Sequence, residues 1–141
     1  MSKLKTLIID DNSEFRVSCG QLLTSDLEIS VSDCDSRSAL ESLQSFSPDV
    51  VVMGLNLDSE QRLHLLKLIQ LRWKSCQVLA LADNQSDAET VKQIEASAVG
   101  FMNSEDLERL LAKAVKKINQ GEAWLPRKMV PSLVERLKLL A

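Results

Sequence analysis

The strongest constraint on the fold is the run Pro48-Asp49-Val50-Val51-Val52-Met53-Gly54-Leu55-Asn56. An apolar stretch without polar alternation cannot turn one face to water, so it predicts a strand buried on both faces, as at the centre of a parallel sheet. In open α/β sheets the chemistry sits just past the carboxyl ends of such strands. Position 54 is therefore where a functional side chain is expected, and glycine supplies none.

The rest of the chain alternates strands and helices around that run. Leu4 to Ile9 reads as a second buried strand and ends in Asp10-Asp11. Asp11-Asn12-Ser13-Glu14 fits a capping box that opens a helix carrying Phe15, Cys19, Leu22 and Leu23. Leu27, Ile29 and Val31 alternate as a strand with one face less buried, and Ser36 to Phe46 is a helix anchored by Ala39, Leu40 and Leu43. Beyond Gly54 a long helix from Ser59 to Trp73 should present Leu63, Leu66, Ile69 and Trp73 to the sheet. Gln77 to Leu81 follows as a strand, Ser86 to Ser97 as a polar helix on Val91 and Ile94, and Val99 to Met102 as a short strand. A last helix, Asp106 to Asn119, turns Leu107, Leu110, Leu111, Val115 and Ile118 inward and stops near Gly121. The expected architecture is an α/β doubly wound five-stranded parallel sheet, ordered 2-1-3-4-5 with right-handed crossovers.

Residues 1–121 form this unit, and 122–141 form a linker and an extra C-terminal helix. Pro131 can open that helix, whose stripe of Leu133, Val134, Leu137 and Leu140 needs a partner, either the domain body or a second copy.

Composition removes several function classes. With 141 residues, 45% hydrophobic and 26% charged, the chain suits one globular domain, and a net charge of -3 argues against a nucleic-acid surface. DNA contact would require an output domain absent from this chain. Cys19, Cys34 and Cys76 are odd in number and lack metal-ligand spacing, which points to a reduced, cytoplasmic setting. No apolar run approaches the roughly 20 residues that a membrane helix needs. The first loop carries no glycine-rich phosphate cradle, so nucleotide or flavin binding is disfavoured.

Four motifs carry a resemblance: Leu7-Ile8-Ile9-Asp10-Asp11-Asn12-Ser13-Glu14-Phe15-Arg16, Pro48 through Leu55, Gly100-Phe101-Met102-Asn103 and Gly121-Glu122-Ala123-Trp124-Leu125-Pro126. Together they resemble a response-regulator receiver domain with the flavodoxin- or CheY-like fold. The last is similar to the linker leading into a LuxR-type helix-turn-helix output domain. The resemblance implies two acids after the first strand that hold Mg²⁺ and an Asp ending the third strand that accepts a phosphoryl group from a histidine kinase. It also implies a Thr or Ser after the fourth strand, a Lys after the fifth, and a switching aromatic on the fifth.

The match is partial. Asp10 and Asp11 stand at the metal-holding positions and Phe101 at the aromatic one, but the acceptor position is Gly54, the hydroxyl position Ala82 and the Lys position Ser104. Asp58 replaces the loop proline. Phosphoryl transfer needs an in-line nucleophile and cations on the phosphoryl oxygens, and both are missing. The expectation is a degenerate, non-enzymatic receiver without cofactor, acting in signal transduction and transcription regulation as a protein-interaction or dimerisation module. The alternative is a phosphoacceptor or Mg²⁺-dependent enzyme using a displaced carboxylate such as Asp58 or Asp83.

Asp10 and Asp11 are expected to form a residual acidic pocket, with Mg²⁺ held weakly at most. Their repulsion would make neutralising Asp10 neutral or stabilising. His64, Leu68 and Leu71 fall on one line of the long helix, away from its sheet face, as a candidate interaction patch.

Overall fold

The structure is a computed structural model describing residues 3–140. Five parallel strands, β1 (Leu4–Ile9), β2 (Ile29–Cys34), β3 (Val50–Met53), β4 (Gln77–Leu81) and β5 (Gly100–Met102), form one sheet ordered β2-β1-β3-β4-β5. The helices between and after them are α1 (Ser13–Thr24), α2 (Ala39–Phe46), α3 (Ser59–Arg72), α4 (Asp87–Glu95), α5 (Leu107–Asn119) and α6 (Val130–Leu140). The order is the one the alternation predicted. β3 is buried along its whole length, as a strand flanked by two parallel neighbours and covered on both faces must be.

Strand side chains alternate between two cores. Leu7, Ile9, Val51, Met53 and Phe101 pack with α2 and α3 through Leu43, Leu65, Leu66 and Ile69. Ile8, Val50, Val52, Leu79 and Met102 pack with α1 and α5 through Cys19, Leu23, Leu111, Val115 and Ile118. α5 ends where Gly121 takes a φ of +92°, a left-handed turn open to glycine at little steric cost.

Several local expectations are corrected. The cap of α1 is Asn12, whose side chain accepts from the Phe15 N–H, and not Asp11. Leu27 precedes β2 and stands 84% exposed, while α2 starts only after a 3-10 turn at Ser36–Ser38 and buries Ala39 and Leu43 but leaves Leu40 exposed. On α3 the buried face is Arg62, Leu65, Leu66 and Ile69, with Leu63 and Trp73 only partly covered. At about 100° per residue this face is centred away from Leu63, and Trp73 falls beyond the last helical turn.

The tail docks on the domain. Trp124 pairs in parallel with Gly100 at the free edge of β5: the Phe101 N–H donates to Trp124 O at 2.7 Å and the Trp124 N–H to Val99 O at 3.2 Å. This covers an edge that would otherwise leave backbone groups unpaired. α6 packs on α4 and buries Leu133, but Val130, Val134 and Leu137 remain exposed on it. The Leu140 side chain lies outside the described part of the structure. Among the described residues, no helix is long and apolar enough to cross a membrane.

Candidate functional site

The carboxyl ends of β1, β3, β4 and β5 bring Asp10, Gly54, Ala82 and Ser104 to one edge of the sheet, as the strand register demands. Asp10 is fully buried there. Its Oδ1 accepts from the Asn12 N–H at 2.8 Å and the Asn56 Nδ2 at 3.0 Å, and its Oδ2 from the Asn56 N–H at 2.9 Å. A buried carboxylate is tolerated when its oxygens are satisfied in this way.

The absence of a side chain at position 54 makes room for it. A Cβ built on Gly54 would lie 2.0 Å from Asp10 Oδ2 and 2.6 Å from both Cβ and Cγ of Asp10. The carboxylate of Asp10 thus fills the space in which a side chain at 54 would begin.

Asp11 goes elsewhere, which corrects the expected acidic pocket. Its Oδ1 accepts from the Ser36 N–H at 2.8 Å, and its Oδ2 from Ser36 Oγ and Gln61 Nε2, each at 3.1 Å. The Ser36 N–H, foremost, holds the Asp11 carboxyl below its ordinary pKa, with desolvation opposing it. With the oxygens of Asp10 turned to Asn12 and Asn56 and those of Asp11 to Ser36 and Gln61, this donor set does not fit a Mg²⁺ octahedron. Among the described residues no cluster of three or more His, Cys, Asp or Glu is arranged to hold a metal.

A residue that the sequence reading missed completes the site. Arg62 is buried, and its Nη2 donates to Gly54 O at 2.7 Å and to Leu81 O, so one guanidinium spans the ends of β3 and β4. Its Nη1 has no partner among the described residues. Burial draws its pKa down while the charges of Asp10 and Glu89 oppose that, and the group remains a cation. The signal was available, since Arg62 stands three, four and seven residues before Leu65, Leu66 and Ile69, on the same helical stripe. Asn56 was missed as well, and its spacing gave no comparable sign.

The other candidates separate. Ala82 is buried and offers no hydroxyl, while Ser104 donates its N–H at 2.8 Å and its Oγ at 2.6 Å to Asp83. Asp58 caps α3, accepting from the Gln61 N–H at 2.8 Å. Asp58, Asp83, Glu89 and Arg62 border one open cleft of about 480 Å³. Phe101 is buried beneath the edge, its backbone tied to Trp124. The proposed patch is not broad: His64 and Leu71 are exposed, but Leu68 lies beside Leu65 and is half-buried.

Comparison with known proteins bears on the family and the fold. The chain is 25% identical over 141 residues to the transcriptional regulatory protein DegU of Brevibacillus brevis, covering 99% of this chain and 60% of that protein. It is 29% identical over 137 residues to a nitrate/nitrite response regulator protein homolog of Haemophilus influenzae, covering 95% and 65%. The chain thus spans less than two thirds of these relatives. In fold it is similar to the isolated receiver domain of RcsB from Salmonella enterica, with a TM-score of 0.80 at 17% identity over 93% of this chain and 98% of that one. A LuxR-family two-component response regulator from Aurantimonas superposes with a TM-score of 0.78 at 22% identity, over 96% and 98%. Residues 6–116 match the response regulator receiver domain, and the chain belongs to that family.

Proposed function

We propose that this is a cytoplasmic, non-catalytic receiver domain that works without phosphorylation at position 54, as a protein-interaction or self-association module of a signalling regulator. One observation carries the reading: the buried Asp10 carboxylate occupies the room of an acceptor side chain, and Asn12 and Asn56 hold it there. A receiver built to accept phosphate needs that room for its nucleophile and needs cations around the transferred oxygens. Here the buried cation is Arg62, already engaged with two backbone carbonyls.

The relatives suggest the context. One similar structure is described as two RcsB dimers bound to two parallel DNAs, and the curated relatives are longer regulatory proteins. We therefore expect a protein partner or a second copy for this domain, with DNA contact and transcription regulation residing in an output domain outside this sequence.

The test is exposure of the wild-type chain to acetyl phosphate and Mg²⁺, read by intact mass, with sedimentation of the same sample. No added phosphate is expected. An adduct mapped to Asp58 or Asp83, which border the cleft beside Arg62, would replace this reading with that of a displaced acceptor.

A further inference from the structure

In a sheet whose strands end at a shared edge, the loops beyond those ends are free to move unless something ties them together. Arg62 does so from within. It rises from the first turn of α3, whose start is set by the Asp58–Gln61 capping box, and reaches Gly54 O at the end of β3 and Leu81 O at the end of β4. A second tie lies above it, where Ser59 Oγ on α3 donates to Glu89 Oε2 on α4 at 3.0 Å. A third joins the β4–α4 loop to the start of the segment after β5, through Asp83 and Ser104. α4 in turn carries α6.

We infer that Arg62 is a positioning residue, a fixed internal clamp that joins the ends of β3 and β4 and so holds α4, with α6 docked on it, in one position without any bound phosphoryl group. This deepens the proposed function and rests on its premise that position 54 is not phosphorylated. Gly54 and Arg62 form one unit. Gly54 lets Asp10 turn inward, and the Asp10 charge in turn favours a buried guanidinium beside it. The clamp is neutral to solution conditions that would load a phosphoryl group, because its acceptors are main-chain carbonyls.

The inference predicts that the α3 start, the β4–α4 loop and α6 open together. Native-state hydrogen exchange of the wild-type chain in increasing denaturant should show residues 55–62, 82–96 and 130–139 becoming exchangeable in one step, with a shared denaturant dependence. Arg62→Met should raise exchange in 82–96 and 130–139 by tenfold or more while β1, α1 and α5 change less than threefold. If α4 and α6 open at lower denaturant than the α3 start in the wild type, or if Arg62→Met changes all elements alike or none, the clamp is refuted. The wild-type measurement decides even if the variant does not fold. A phosphate adduct by mass would overturn the proposed function, whereas only the exchange pattern tests the clamp, so the two failures are distinguishable.

Discussion

Gly54→Ala adds one methyl group, and the structure says what it must displace. The new Cβ would lie 2.0 Å from Asp10 Oδ2 and 2.6 Å from Asp10 Cβ and Cγ, so the conflict involves the stem of a buried side chain as well as its tip. Asp10 has to rotate away, giving up hydrogen bonds from the Asn12 N–H, the Asn56 N–H and Asn56 Nδ2. Hydrogen bonds to a charged group contribute about 1.5–3 kcal/mol each, but Asn12 and Asn56 are exposed and water recovers most of that, leaving a loss of about 1–1.5 kcal/mol for the three together. Overpacking adds about 1–3 kcal/mol, while alanine lowers unfolded-state entropy and returns about 0.4–1 kcal/mol. The net expectation is a loss of about 2–3 kcal/mol, or about 7–10 °C in Tm for a domain of this size. Urea unfolding followed by the fluorescence of Trp73 and Trp124 measures it. Gly20→Ala is the control, because its Cβ would meet nothing within 4 Å inside α1, and it should stabilise by about 0.5–1 kcal/mol. If Gly54→Ala unfolds within 0.5 kcal/mol of wild type, Asp10 is not held as described.

Asp10→Asn should destabilise by about 1–3 kcal/mol, since an amide NH₂ would face N–H donors now bonded to carboxylate oxygens; a neutral or stabilised variant in the same urea assay would restore the repulsive-pair expectation. The lowered Asp11 pKa contributes stability that is present above the unfolded value of about 3.9 and disappears as pH falls through the depressed folded value. Asp11→Asn should therefore be less stable than wild type at pH 7 and converge on it as pH falls through the depressed folded value, and a gap that persists in acid denaturation would contradict this. Gly54→Asp should remain unlabelled by acetyl phosphate in an intact-mass assay, because Ala82 and Ser104 offer no Thr and Lys contacts and the new side chain would begin in the space that the Asp10 carboxylate fills. Truncation after Gly121 should lower Tm by several degrees, having removed the Trp124 pairing to β5 and the buried Leu133; an unchanged melting curve would reduce the tail to a linker.

How much of this was legible in the chain depended on the range of the interaction. The valine run and the Leu4 to Ile9 segment determined the buried central strands, because a segment without polar alternation has only one favourable environment. Alternation of strand and helix then left the doubly wound sheet as the economical topology, and Gly54, Ala82 and Ser104 followed from position alone. Helix faces were less secure. α3 had Leu at five positions, and only packing against β3 and β4 selected Leu65, Leu66 and Ile69 over Leu63 and Leu71.

The site divided along the same line. Sequence by itself determined that position 54 carries no side chain. What fills the space beside it was decided only by tertiary structure. Asp10 and Asp11 are chain neighbours, but successive side chains at a strand's end point apart, so one entered the space beside Gly54 and the other met Ser36 and Gln61. Arg62 reached Gly54 and Leu81 because α3 packs across β3 and β4. Burial of a guanidinium is decided by which carbonyls lie within its reach, a fact of three dimensions that no local pattern records.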